Sequence, residues 1–236
     1  MAVNLPKVHI LGHSFDKHLS RDISRGSNDR TDFYFGLQGC LSVHFYGVSG
    51  RTVDKLHAFN LGVIHFSAPE IVILEIGTND LANLPPEVIG SALDDLIQLL
   101  LSSFPVHVVG WCYVIPRGLS HPDSALFRQG AEILNNYVSV VLDSTPNVFC
   151  WHHRVFNHPA KDYYLPDGVH LNSAGQYHLY RSSQMSIQRS PRACAPSNLA
   201  VQAAASGQPS RMRLHSGGPS SVSSLAVLPR GYRRFP

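Results

Sequence analysis

The feature that most narrows what this chain can fold into is an alternation. Short, nearly continuous apolar and β-branched runs recur at Lys7–Leu11, Ser42–Tyr46, Ile71–Ile76, Val106–Cys112 and Asn147–Trp151. Such runs suit parallel strands covered on both faces. Between and after them lie stretches with helical spacing. Ile89, Leu93, Leu96, Ile97, Leu100 and Phe104 recur every three to four residues behind Pro85 and Pro86, where a helix would start. Phe127, Ala131, Leu134, Val138, Val141 and Leu142 repeat the pattern, and further helices are expected over Val53–Phe66 and Ser173–Ile187. Strands alternating with helices through short connections predict an α/β fold, a three-layer α/β/α sandwich. Sheets of that kind carry their sites at the carboxyl ends of the strands.

Three phrases fall at or beyond those ends: GHSF at Gly12–Phe15, GTND at Gly77–Asp80 and DGVH at Asp167–His170. Ser14 follows the first strand directly, so it can begin a helix with its hydroxyl raised above the sheet edge. Its N–H, at a helix N-terminus, can then face a developing negative charge. A glycine in Gly47–Thr52, after the second strand, would let the backbone approach a ligand and offer an N–H. Asn79 offers a neutral amide donor, which suits an oxyanion because it does not titrate. The three-residue spacing of Asp167 and His170 lets the carboxylate meet one ring nitrogen while the other faces the serine. Each phrase alone reads as an ordinary cap or turn: Ser14 as an N-cap, GTND as an Asx-turn, DGVH as a polar loop before a helix capped at Asn172 or Ser173. Together they supply a nucleophile, oxyanion donors and a base with its orienting acid. No GxSxG elbow is present, which argues against the α/β-hydrolase arrangement.

On these blocks the chain resembles the SGNH/GDSL hydrolases over about residues 7–188. The resemblance matches Ser14 to the family's nucleophile and Gly50, in preference to Gly47, to its glycine donor. Asn79 matches the asparagine donor, and Asp167 and His170 match the Asp-x-x-His pair. It implies a flavodoxin-like sheet of five parallel strands in the order 2-1-3-4-5, and serine-based hydrolysis of a small-molecule ester without a metal. One departure stands out: the family's usual Gly-Asp-Ser is Gly12-His13-Ser14 here, and the missing Asp normally helps to order the site. The GHSF form also resembles esterase domains carried by some animal mobile elements. Two other outcomes fit the same blocks. One is acyl transfer to a hydroxyl acceptor; the other is a non-catalytic binding module that kept the scaffold.

Charge divides the chain of 236 residues. Residues 181–236 hold eight of the 19 basic residues and no acidic one, which leaves 11 basic against 16 acidic in 1–180. From about Ser190 the sequence turns to Ser, Pro, Gly, Ala and Arg without apolar periodicity. The expected division is thus a domain over 1–188 and a disordered basic tail over 189–236. The tail offers non-specific contact to nucleic acid or anionic lipid, but lacks the interleaved aromatics of a dedicated RNA binder. No leader-like or membrane-spanning apolar stretch stands out, so a cytoplasmic address is expected. Cys40, Cys112, Cys150 and Cys194 form no CxxC pair and are expected as free thiols. His9, His44 and His107 sit early in strand-like runs and read as structural, whereas His152, His153 and His158 lie nearer the site. No HExxH or Cys/His spacing supports zinc, so no metal or cofactor is expected. Arg117 is a candidate for a substrate anion or a surface ion pair.

Overall fold

The computed structural model describes residues 5–157 and 162–190. Five strands form one sheet: β1 (Lys7–Gly12), β2 (Ser42–Gly47), β3 (Ile71–Glu75), β4 (Val108–Cys112) and β5 (Val148–Trp151). All are parallel and the order is β2-β1-β3-β4-β5, as expected. Every residue of β3 and β4 is buried, which explains why these strands read as unbroken apolar runs.

Helices cover both faces. On one side α1 (Ser14–Ser24) and α6 (Ser173–Arg189) pack Phe15, Leu19, Leu179 and Ile187 against Ile10 and Ile73. On the other, α4 (Pro86–Ser103) and α5 (Ser124–Leu142) lay Leu93, Ile97, Leu134 and Val138 over Leu74, Val109 and Trp111. Helix α4 opens with Pro at its first position, where the missing N–H costs nothing.

The single helix expected over Val53–Phe66 is instead two, α2 (Val53–Phe59) and α3 (Leu61–Ser67). The break falls at Asn60, whose φ of −118° leaves helical geometry and whose N–H caps Leu56. Asn and the nearby Gly62 are poor helix formers, and the apolar spacing did not register that penalty. Phe59 and Phe66, which the pattern included, are 80% and 88% exposed.

The carboxyl end of the sheet is shaped by glycine. Gly47, Gly12 and Glu75 share one rung across β2, β1 and β3. A Cβ on Gly12 would lie 1.7 Å from Asp16 Oδ2, and one on Gly47 would lie 2.2 Å from the Lys17 backbone N. The two bare positions let the first turn of α1 settle against the strands. That contact fixes where Ser14 stands.

Candidate active site

His13 is the N-cap of α1 and Ser14 its first residue, so the sequence-predicted nucleophile stands at a helix N-terminus directly after β1. His13 is buried, and its ring lies 4.6 Å from that of Phe15. Burial pushes its pKa down to about 4; Glu75 opposes that shift and His170 adds to it. His13 is therefore neutral at neutral pH.

Asp167 and His170 are brought together as the spacing predicted. Asp167 Oδ2 lies 2.7 Å from His170 Nδ1, and Oδ1 accepts from the N–H groups of Val169 and His170. Burial raises the carboxyl pKa, but these bonds and the His170 charge together outweigh it and hold the carboxylate at about 2. The loop that carries the pair is pinned at both ends. The Gly118 N–H donates to Gly168 O, and a Cβ on Gly168 would lie 2.6 Å from the His121 backbone N. Beyond the pair, Tyr164 bridges Leu171, and Asn172 caps α6 by accepting from the Gly175 N–H. The pair faces α1: the rings of His170 and His18, one helical turn beyond Ser14, are stacked with centroids 5.2 Å apart. Among the described residues, His170 is hydrogen-bonded through its ring to Asp167 and not to Ser14.

The two remaining positions are also neighbours. Asn79 Nδ2 donates to Arg51 O at 2.8 Å, which ties the GTND turn to the loop holding Gly50. Gly50 has a φ of 69°, and its N–H has no hydrogen-bond acceptor among the described residues. One amide hydrogen of Asn79 is thus committed to Arg51 O while the other remains available. Gly47 serves the seating of α1.

Three supporting residues escaped the sequence reading. Arg51 is 2% exposed and donates through Nη1 to Gly12 O and Tyr46 O, clamping the ends of β1 and β2. Asp80 accepts from the Val53 N–H at 3.0 Å and so anchors α2; burial raises its pKa. Asp16, on the buried side of α1, has no well-aligned hydrogen-bond partner for either oxygen among the described residues. Burial and nearby Glu75 push its carboxyl well above the usual range. A buried charged residue written amid surface-like letters gives no periodic signal.

Behind α1, Glu75 and His153 form a buried ion-pair contact at 3.3 Å. Ser183 donates to Glu75, and His153 Nδ1 lies 2.8 Å from Ser182 Oγ. Cys112 completes the group: the ligand atoms of Glu75, Cys112 and His153 all lie within 4.8 Å of one another. Carboxylate, thiol and imidazole are donors that a zinc-class ion accepts. Here Glu75 already answers His153 and Ser183, its acidity strengthened chiefly by His153 against the cost of burial. Burial and the Glu75 charge push the Cys112 thiol well up, opposing the thiolate a metal would need. The cluster escaped spacing rules because its members come from β3, β4 and the turn after β5.

His9 and His44 pair in register within β1 and β2, and His107 precedes β4, all remote from the strand ends that carry the site. His152 bonds Asn157. Arg117 lies over the Phe127 ring and contacts His121. It lines a pocket of about 260 Å³ with Leu81, Ala82 and Phe127, beside the GTND turn. Cys40, Cys112 and Cys150 are free thiols. His158, Cys194 and the basic tail expected over 189–236 lie outside the described residues, apart from its first two positions. Among the described residues, no helix is long and apolar enough to cross a membrane.

The GDSL-like lipase/acylhydrolase family model matches residues 23–177, well over half of the chain, and the chain belongs to that family. The match includes Gly50, Asn79, Asp167 and His170 and begins beyond Ser14. Solved structures share the fold. A GDSL-like lipase from Bacteroides thetaiotaomicron has 18% identity and a TM-score of 0.60, with 80% of this chain and 92% of that one covered. An acetyl-xylooligosaccharide esterase from Geobacillus Stearmophilus has 16% identity and a TM-score of 0.59, covering 79% and 96%. An acetyl esterase crystallised with an acetate ion has 16% identity and a TM-score of 0.59, covering 78% and 97%. No curated protein matches the chain. Membership of this family supports a hydrolase of the esterase/acylhydrolase class, and the solved structures share its fold.

Proposed function

We propose that the chain hydrolyses carboxylic esters through an acyl-enzyme on Ser14. The observation that carries this reading is the Asp167–His170 pair held against α1, the helix that Ser14 begins. His170 takes the Ser14 proton as Oγ attacks the ester carbonyl. The Ser14 and Gly50 N–H groups and the Asn79 amide receive the oxyanion. His170 then protonates the departing alcohol, Asp167 holding the ring in one tautomer throughout. Water, deprotonated by His170, attacks the acyl-enzyme, and collapse returns the carboxylic acid and the free serine. The chemistry needs no metal or cofactor.

The test is release of p-nitrophenol from acetate, butyrate and octanoate esters by wild type and Ser14→Ala. Turnover that disappears in the variant supports the mechanism, and the chain-length series reads the acyl preference. Turnover unchanged in Ser14→Ala would remove the serine from the reaction. Adding an alcohol acceptor to the same assay separates hydrolysis from acyl transfer, because transfer yields a new ester in place of the free acid.

A further inference from the structure

We infer that His18 is a positioning residue that holds the His170 imidazole against the nucleophile helix. The inference rests on the reading of Ser14 and His170 given above. His18 and Ser14 are four residues apart on α1, so they share one face, a turn apart. The His18 ring lies against the His170 ring with centroids 5.2 Å apart and planes inclined by 24°, a separation typical of attractive ring pairs. Asp167 binds His170 at the edge, through Nδ1. An edge contact alone leaves the ring free to swing about that bond. A second contact on the flat face removes this freedom. Because it comes from the helix carrying Ser14, the stack also ties the base to the nucleophile's own frame.

The chemistry of His18 suits such a role better than that of a second base. The carboxylate of the loop serves His170, and His18 has no equivalent partner at ion-pair distance among the described residues. Burial, then the charges of Arg21 and His170, lower the His18 pKa; Lys17 adds to this and Asp22 opposes it. An uncharged ring can lie beside an imidazolium without direct charge repulsion, so the stack survives when His170 takes the serine proton. The loop is partly open here, with 34% of the His170 side chain exposed. Solvent would otherwise reach the face that His18 covers.

The experiment compares full-length wild type, His18→Ala and His18→Phe in the p-nitrophenyl acetate assay. In parallel, 15N-labelled histidine NMR reads the mobility of the His170 ring. The Ala variant is expected to lose about ten- to a hundredfold in kcat with KM little changed, the signature of a misplaced catalytic group. Its His170 ring signals should show added motion, with the tautomer set by Asp167 kept. Phe keeps a stacking ring without a titrating group and should restore kcat to within about threefold and the ring to its wild-type rigidity. If Ala leaves kcat or ring mobility as in wild type, or if Phe fails as Ala does, the inference is overturned. The NMR arm needs no turnover, so it stands apart from the Ser14→Ala test of the serine mechanism.

Discussion

Asp167 uses both carboxylate oxygens on one neighbour, binding His170 Nδ1 through Oδ2 and the His170 N–H through Oδ1. The carboxylate therefore fixes the ring and the turn that carries it. Replacing Asp167 by Asn keeps the size and removes the charge that favours Nδ1–H. The expected result is a fall in kcat of about 10²–10⁴-fold with the fold intact. Ester turnover beside a circular-dichroism melt checks it; kcat within a few-fold of wild type would remove Asp167 from the mechanism. Since the carboxyl pKa is depressed to about 2, its contribution to stability is present above the usual carboxylate value and lost only as pH falls toward 2. Acid inactivation well above that range would have to come from another group.

Asn79 braces the Gly50 loop at Arg51 O, and in the proposed mechanism its second amide hydrogen serves the oxyanion. Asn79→Ala should lower kcat by about 10²–10³-fold, the usual loss of one oxyanion donor. Asn79→Asp should be no better, since it substitutes an acceptor for the donor. A purely structural role would instead appear as a lowered Tm with kcat preserved in the folded fraction.

Much of this was legible in the sequence, and what was missed has a common cause. The sheet order was an implication of the motifs, and strand positions came from local apolar density, which survives because β3 and β4 are buried on both sides. The Asp167–His170 contact was readable because two residues three positions apart on one loop must stay close. Arg51, Asp16, Glu75 and His153 were not. Their burial depends on which strands become neighbours, and Glu75 meets His153 although the two lie 78 positions apart in the chain. The helix break at Asn60 was missed because apolar spacing outweighed the low helix propensity of Asn and Gly. The resemblance leaves Gly47 only as a less favoured donor than Gly50, and its role as the seat of α1 emerges from the packed structure alone.

Asp16 and Glu75 give stability opposite dependences on pH. The raised Asp16 carboxyl binds a proton more tightly folded than unfolded, so its contribution falls as pH climbs above the usual carboxylate value. Glu75 is depressed, so its contribution is present above that value and lost as pH falls through the folded one. Asp16→Asn removes the group whose ionisation is opposed by burial and by Glu75. Its Tm relative to wild type should therefore be higher at pH 8 than at pH 4.5. A difference that does not change between the two pH values would mean that Asp16 is not held protonated by its surroundings.

Gly47 and Gly62 should respond to the same substitution with opposite signs. At Gly47 a methyl group would lie 2.2 Å from Lys17 N and 2.7 Å from Asp16 C, both backbone atoms that no rotamer change can move. Helix α1 would have to lift from β2, at a cost of about 1–3 kcal/mol, or roughly 2–12 °C in Tm. Since α1 carries Ser14 and His18, ester turnover should fall further than the loss of folded protein explains. At Gly62, inside α3, no atom lies within 4 Å of the added methyl. Alanine there gains helix propensity and should stabilise by about 0.5–1 kcal/mol with turnover unchanged. Thermal melts and ester kinetics on both variants check the pair. A neutral Gly47→Ala would show that the nucleophile helix does not depend on this contact.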